Sequence, residues 1–247
     1  MADTPANPVA NQVVDECDST NEVAKRLGAD GAPHGTWISA LRQTAGRGRQ
    51  GRSWDSERGN LFLSIVARPA REVTLTWIPL AVAVGVKRAL LALAPELPLR
   101  IKWPNDLWVN EKKIGGILCE GVGNRGGNFL VIGLGLNCAH APEGLDQPTT
   151  SLARELSAPP ALEAVREACH REILRAVDDL SASAPVIAAE YATASVFAPG
   201  TTVEWGAEDG NQGTVVGLGA FGELKVRRAD GSEQPLYAED VRKLRKK

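Results

Sequence analysis

Between residues 46 and 54 the chain reads Gly46-Arg47-Gly48-Arg49-Gln50-Gly51-Arg52-Ser53-Trp54. Gly46, Gly48 and Gly51 spell the dinucleotide fingerprint G-x-G-x-x-G, and the same stretch comes within one residue of a P-loop, with Arg52 in the place of the lysine. Both motifs require an apolar helix that opens inside the loop and sets its N-terminus against phosphates. From Arg52 to Asn60 the only apolar residue is Trp54, so no such helix follows. Both readings are therefore poor. What remains is a flexible segment whose guanidinium groups, Arg47, Arg49 and Arg52, stand among glycines that let backbone N–H groups approach an anion. The planar fork of arginine matches carboxylate and phosphate oxygens, so the loop suits a ligand built of those two parts. A solvated loop is the alternative, and an RNA-binding loop is a poorer one because few aromatic residues lie near it.

The pattern around the loop predicts a mixed, largely antiparallel sheet. Ser19 and Glu22 have capping-box spacing and open a short helix with Val23 and Leu27 on its apolar side. Thr36 to Leu41 and Leu61 to Ala67 are β-rich runs. Leu80, Val84 and Leu91 recur at helical spacing between Leu75 and Leu93 and predict a core helix that ends before Pro95. Leu99 to Trp103, Leu107 to Val109, Ile114 to Glu120 and Phe129 to Leu136 read as strands, with Asn110-Glu111 and Asn124 to Gly127 as hairpin turns. Leu162 to Leu180 and Val186 to Ala194 then predict two further helices. Beyond Pro199 short β-rich pieces separated by Gly, Asp and Asn predict a small barrel, and the basic end Arg242 to Lys247 reads as a solvated tail. The expected organisation is a loose tail over residues 1–12, one unit over 13–196 and a small all-β unit over 197–247, an α+β chain.

Charge and cysteine usage narrow the class of function. With 28 Lys+Arg against 30 Asp+Glu the formal net charge is -2, which argues against a general nucleic-acid or anionic-membrane binder. Cys17, Cys119, Cys138 and Cys169 form no C-x-x-C pair and have no histidine at zinc spacing, so reduced thiols in a cytoplasmic chain are expected. The first residues show neither a basic n-region nor an apolar h-region, and the uncharged runs Val73 to Val86 and Asn128 to Pro142 fall short of the ~20 residues of a membrane span. No membrane partner is expected.

Two further segments carry candidate chemistry. In Lys102-Trp103-Pro104-Asn105-Asp106 the proline ends a strand, so Asn105 and Asp106 fall where strand meets turn, a common place for ligand groups. Asp106 suits a Mg²⁺ that bridges phosphates and Lys102 suits their charge, while a plain Asx turn is the other reading. Lys113 opens an apolar strand and either extends outward or binds an anion over the sheet.

Taken together, Asp18-Ser19-Thr20-Asn21, the run from Gln43 to Trp54, Lys102 to Asp106, Lys113-Ile114-Gly115-Gly116-Ile117-Leu118 and Gly133-Leu134-Gly135-Leu136-Asn137 resemble the biotin protein ligases (biotin–[acetyl-CoA-carboxylase] ligases) over about Val13 to Lys247. Gln50 stands where that family often has another arginine, and Glu22 where glutamine is common. The resemblance implies a class II synthetase-like catalytic unit followed by an SH3-like barrel. It also implies a two-step acyl transfer in which biotin and ATP give biotinyl-5′-adenylate and pyrophosphate, after which a lysine of a biotin carboxyl carrier domain attacks the adenylate. By position it assigns Ser19, Thr20, Asn21, Gln43, Gly46, Arg47, Gly48, Arg49, Lys113, Gly115 and Gly116 to biotin. Arg47, Arg52, Trp54, Lys102, Asn105, Asp106 and Asn137 fall to ATP and the adenylate, with Asp106 a ligand of Mg²⁺. Lys113 and Arg49 would be the catalytic pair. Adenylyl transfer asks for positioning and charge neutralisation rather than a protein nucleophile, which agrees with the lack of a visible triad.

Larger members of that family carry a winged helix-turn-helix ahead of the serine-threonine motif; the eighteen residues before Ser19 are too few for one, so no DNA partner is expected. Edge strands leave a homodimer open. A lipoate-protein ligase on the same scaffold is the nearest rival, and a non-enzymatic binding module that recruits partners through its barrel is the rival of another class.

Overall fold

The computed structural model describes residues 11–69, 74–124, 127–206, 211–238 and 244–246. Seven strands form one sheet: β1 (Gln12–Cys17), β2 (Trp37–Gln43), β3 (Leu61–Ala67), β4 (Leu99–Lys102), β5 (Asp106–Val109), β6 (Lys112–Asn124) and β7 (Gly127–Leu136). Their order is β1-β2-β3-β7-β6-β5-β4; β1 and β2 run parallel and every other pair is antiparallel. The mixed, largely antiparallel sheet expected from the sequence is present.

Alternation along the strands sorts the two faces. Leu61, Leu63, Ile65, Ile132, Leu134 and Leu136 point into a core with α2 (Ile78–Leu93) and α4 (Leu162–Ala194). On the other face Ile38, Val66, Phe129 and Val131 meet Val23, Ala24 and Leu27 of α1 (Thr20–Ala29). Helix α2 is apolar nearly all round because the sheet and α4 enclose it. By length and composition Leu75–Leu93 would suffice to cross a bilayer, yet 61% of it is packed inside the protein, as for a core helix. Gly85 lets α4 approach: a Cβ there would lie 2.6 Å from the Glu172 carbonyl oxygen.

The structure departs from the sequence reading in several places. Gln12 already belongs to β1, opposite Ile38, so the loose tail ends before it; residues 1–10 lie outside the described residues. Ser19 is the N-cap of α1 in extended conformation without a side-chain capping bond, and the Glu22 carboxylate turns instead to Lys25 and Arg47. The two helices expected after residue 162 are one helix, α4, with Pro185 inside it. Proline removes a single N–H there, while Leu180 before it and Ile187 after it are both buried in the same core and hold the two halves in line. A short helix α3 (Leu152–Glu155) was not foreseen. Of the expected Asn124 to Gly127 turn, residues 125 and 126 lie outside the described residues.

Strands β8 (Thr202–Trp205), β9 (Gln212–Leu218), β10 (Leu224–Arg227), β11 (Glu233–Leu236) and β12 (Leu244–Lys246) form a second, antiparallel sheet in the order β11-β10-β9-β8-β12. Residues 244–246 are thus a strand paired with β8, where the sequence suggested a solvated tail; 242, 243 and 247 lie outside the described residues. This small β unit packs through its 219–223 turn: the Trp77 and Trp103 indoles donate to the Ala220 and Gly222 carbonyl oxygens at 2.9 and 3.0 Å. Trp103 is thereby fixed at the strand end that precedes Asn105 and Asp106.

Candidate active site

A cleft of about 1010 Å³ opens on the α1 face of the large sheet. Its floor exists because three residues lack side chains. The register pairs Gly116 with Gly135 across β6 and β7, and Gly133 lies two residues away on the same face. A Cβ on Gly135 would come 2.4 Å from the Trp54 ring, and one on Gly133 would come 2.2 Å from Asn21 Oδ1. Trp54 therefore lies flat on bare backbone. Its indole N–H is buried and meets no acceptor among the described residues, a donor at the floor of the cleft that a ligand is able to satisfy.

One end of the cleft is neutral and polar. Thr20 and Asn21, in the first turn of α1, are buried and bonded to groups from three strands. Gln43 Oε1 accepts the Thr20 N–H at 2.8 Å and its hydroxyl at 3.1 Å, and Gln43 Nε2 donates to Ser56 Oγ at 3.0 Å. Ser64, on β3, lies 2.8 Å from Thr20 Oγ1 and 2.6 Å from Asn21 Oδ1. Ser19, beside them, keeps a hydroxyl that no capping bond uses.

The other end is cationic. Lys113 Nζ lies 2.7 Å from Asp106 Oδ1 and 5.3 Å from the centroid of the Trp54 ring. Backbone bonds from Lys113 N–H to the Pro148 carbonyl and from Thr150 N–H to the Lys113 carbonyl, both 2.9 Å, hold that strand start in place. Lys102 Nζ stands 4.1 Å over the Trp108 ring. Burial lowers the Lys102 pKa; Asp106 opposes this, and the like charges of Lys113 and Arg245 add to it. Lys113, Arg245 and Asp106 thus gather near Lys102, and with Arg47, Arg49 and Arg52 the cations lining the cleft outnumber its carboxylates Asp55, Asp106 and Asp146, a field suited to an anionic ligand.

The arginine loop spans the two ends. An isolated bridge joins Arg47 to Ser53, and Arg49–Gly51 form a single 3-10 turn in which Gln50 takes φ 55° and ψ 37°, a left-handed conformation rare for a side-chain-bearing residue. Arg47 Nη1 lies 2.8 Å from Glu22 Oε1. Arg49 donates to Asn105 Oδ1 at 3.1 Å and to the Ala238 carbonyl at 2.7 Å, so it ties the loop to the β4–β5 turn and to the small β unit.

Of the residues singled out in the sequence, Ser19, Thr20, Asn21, Gln43, Arg47, Gly48, Arg49, Arg52, Trp54, Lys102, Asn105, Asp106, Lys113, Gly116 and Asn137 all line this one cleft. Two do not. Gly115 faces the opposite side of the sheet, toward Leu107 and Leu136, because its neighbour Gly116 takes the cleft side and strand residues alternate. Gly46 lines a smaller neighbouring cavity of about 680 Å³ and packs against Ser56 and the Trp54 carbonyl. Residues missed from the sequence are Ser64, Glu120 and Arg245. Ser64 left a signal, as the one polar residue in the apolar strand Leu61-Phe62-Leu63-Ser64-Ile65-Val66-Ala67. Arg245 enters the cleft only because β12 joins the second sheet, which local sequence does not announce.

Residues 13–137 match the model of the biotin/lipoate A/B protein ligase family. A biotin–[acetyl-CoA-carboxylase] ligase of Paracoccus denitrificans is 40% identical over 129 residues, which cover 51% of this chain and 53% of that protein. Another, from Mycobacterium tuberculosis, is 33% identical over 190 residues, 74% of this chain and 70% of that protein. The chain spans about half the length of several of the curated relatives it matches. The solved structure of a biotin protein ligase from Aquifex aeolicus in complex with biotin and ATP superimposes with a TM-score of 0.81 at 27% identity, covering 96% of this chain and 98% of that one.

Proposed function

The chain belongs to the biotin/lipoate A/B protein ligase family, and from that membership we propose that it is an ATP-dependent biotin protein ligase. One observation carries the choice of substrate: the cleft joins a neutral hydrogen-bonding end, Thr20, Asn21 and Gln43 with Ser64 bonded behind them, to a cationic end, Lys102, Lys113 and Arg245. A ligand with a neutral polar ring at one end, a carboxylate near its middle and phosphates at the other matches both ends at once. Biotin activated by ATP has that shape and charge. Lipoate ends in an apolar dithiolane, which would leave the amides and hydroxyls around Thr20 without ligand partners.

In the first step a biotin carboxylate oxygen attacks the α-phosphorus of ATP, the P–O bond to the β-phosphate breaks, and pyrophosphate leaves. Lys113 meets the carboxylate and the charge that develops at the α-phosphate, and the arginine loop closes over the mixed anhydride and keeps water from it. In the second step the uncharged amine of an acceptor lysine attacks the acyl carbon, the bond to the adenylate oxygen breaks, AMP leaves, and the amine proton passes to solvent.

Nucleotide phosphates bring Mg²⁺ with them and need one or two protein carboxylates. Asp106 fits as one such ligand, and the ion would draw it from Lys113 and neutralise phosphate charge. Among the described residues no group of three or more His, Cys, Asp or Glu could hold a metal unaided. The acceptor in this reading is a biotin carboxyl carrier domain, and the free cysteines suit a reducing cytoplasm. Incubation with biotin, ATP, Mg²⁺ and a carrier domain, followed by avidin blotting, tests the transfer; a carrier that stays unlabelled overturns it.

A further inference from the structure

An asparagine amide presents an acceptor at one end and donors at the other, and its neighbours decide which end faces a ligand. Asn21 is 5% exposed, and its Nδ2 lies 2.8 Å from Glu120 Oε2 and 3.4 Å from the Leu118 carbonyl oxygen. A carboxylate and a carbonyl have no proton to give, so the amide nitrogen must turn to them. Oδ1 then faces the other way, accepts from Ser64 and stands over Gly133 at the cleft floor.

Glu120 is itself held from outside the cleft. Its Oε1 lies 2.7 Å from Lys25 Nζ, and Lys25 also bonds Glu22 Oε1 at 2.9 Å, the oxygen that Arg47 reaches. Burial works against the Lys25 charge, but its bonds to Glu120 and Glu22 outweigh that and raise its pKa, so this contact stays a donor. Glu120 does not line the cleft, whereas Asn21 does. Resting on the proposed function, we infer that Glu120 is a positioning residue for specificity: held by Lys25, it locks Asn21 with its acceptor toward the acid and thereby selects an acid that carries an N–H donor at that end.

The relation yields a test that a merely structural role would not pass. In Glu120→Gln the Lys25 ammonium still demands an acceptor, so the new amide turns its oxygen to Lys25 and its nitrogen to Asn21. Asn21 must then flip and present donors to the acid. In the double variant Glu120→Gln/Lys25→Met that demand is gone, and the glutamine oxygen is free to face Asn21 again. We expect KM for biotin to rise about tenfold in the single variant, the effect of one ordinary hydrogen bond, with KM for ATP changed by less than about twofold. The double variant should recover most of the loss. An unchanged biotin KM in the single variant, or no recovery in the double, overturns the inference. The amide orientation is also read without any acid, by NMR: the Asn21 side-chain N–H protons should show cross-relaxation to Glu120 in the wild type and to Ser64 in Glu120→Gln. Unaltered cross-relaxation overturns the inference even if the wild type prefers lipoate, an outcome that would overturn the functional reading alone.

Discussion

Lys113 and Asp106 form an ion pair of 2.7 Å with side chains only 17% and 18% exposed, in the cationic end of the cleft. The pair keeps a cation ready without leaving it uncompensated, since a lone buried charge would be costly. In the proposed reaction a carboxylate and a phosphate would give Lys113 new partners, and Mg²⁺ would give Asp106 one.

Lys113→Ala should therefore lower the rate of adenylate formation by about 10²- to 10³-fold, the loss found when a donor to a developing anion is removed. Single-turnover pyrophosphate release checks this. A variant that forms adenylate at the wild-type rate would contradict the role given to Lys113.

Gly135→Ala should weaken ligand binding while leaving the fold intact. Its Cβ would meet the Trp54 ring at 2.4 Å and lift it from the floor. Gly121→Ala, on the same hairpin but with 3.7 Å to the nearest side chain, is the control and should be neutral. Calorimetric titration with biotin and ATP, together with circular dichroism, separates the two; equal affinities would show that Trp54 does not need its bare floor.

Arg49→Gly should let the adenylate escape. Arg49 fastens the loop to Asn105 and to the Ala238 carbonyl, and the variant lacks these two anchors of what, in the proposed reaction, would be the cover over the anhydride. Rapid filtration should find less adenylate retained, and bystander proteins should become biotinylated on lysines at random. Full retention would refute the role.

The cysteines should be inert. Burial pushes the Cys17 thiol up to about 11 and Cys138 to about 12 from the ordinary 9.0, and raises Cys119 and Cys169 further. Replacing Cys119 and Cys138 with Ala or Val should leave turnover intact. Because the folded values lie above the unfolded one, the unfolded chain loses thiol protons first as pH rises, so the thiols' contribution to stability is level below about pH 9 and falls between there and about pH 12. Urea midpoints across that window check the sign; a midpoint that rises would contradict it.

Much of the site was legible because its residues sit in compact local motifs. The arginine loop failed the helix test of both phosphate-binding patterns, and the structure has only a 3-10 turn there. Glycines at 116, 133 and 135 open the floor, yet strand alternation alone would have moved Gly115 to the core side. What stayed hidden depends on long-range pairing. Strand β1 is short and carries Asp15 and Glu16, and it becomes a strand by parallel pairing with β2. The join of α4 across Pro185 follows from burial on both sides of the proline, and Arg245 reaches the cleft through β12. Glu120 and Lys25 act from beyond the cleft, and nothing in their local sequence points to Asn21.

The most direct test of the central claim is pyrophosphate release by the wild-type protein with ATP and Mg²⁺, comparing biotin with lipoate at equal concentration. The polar end around Thr20 and Asn21 predicts release with biotin at a rate about 100-fold or more above that with lipoate, the discrimination expected when buried polar groups would otherwise go unpaired. Faster release with lipoate, or release with neither acid, would contradict the account.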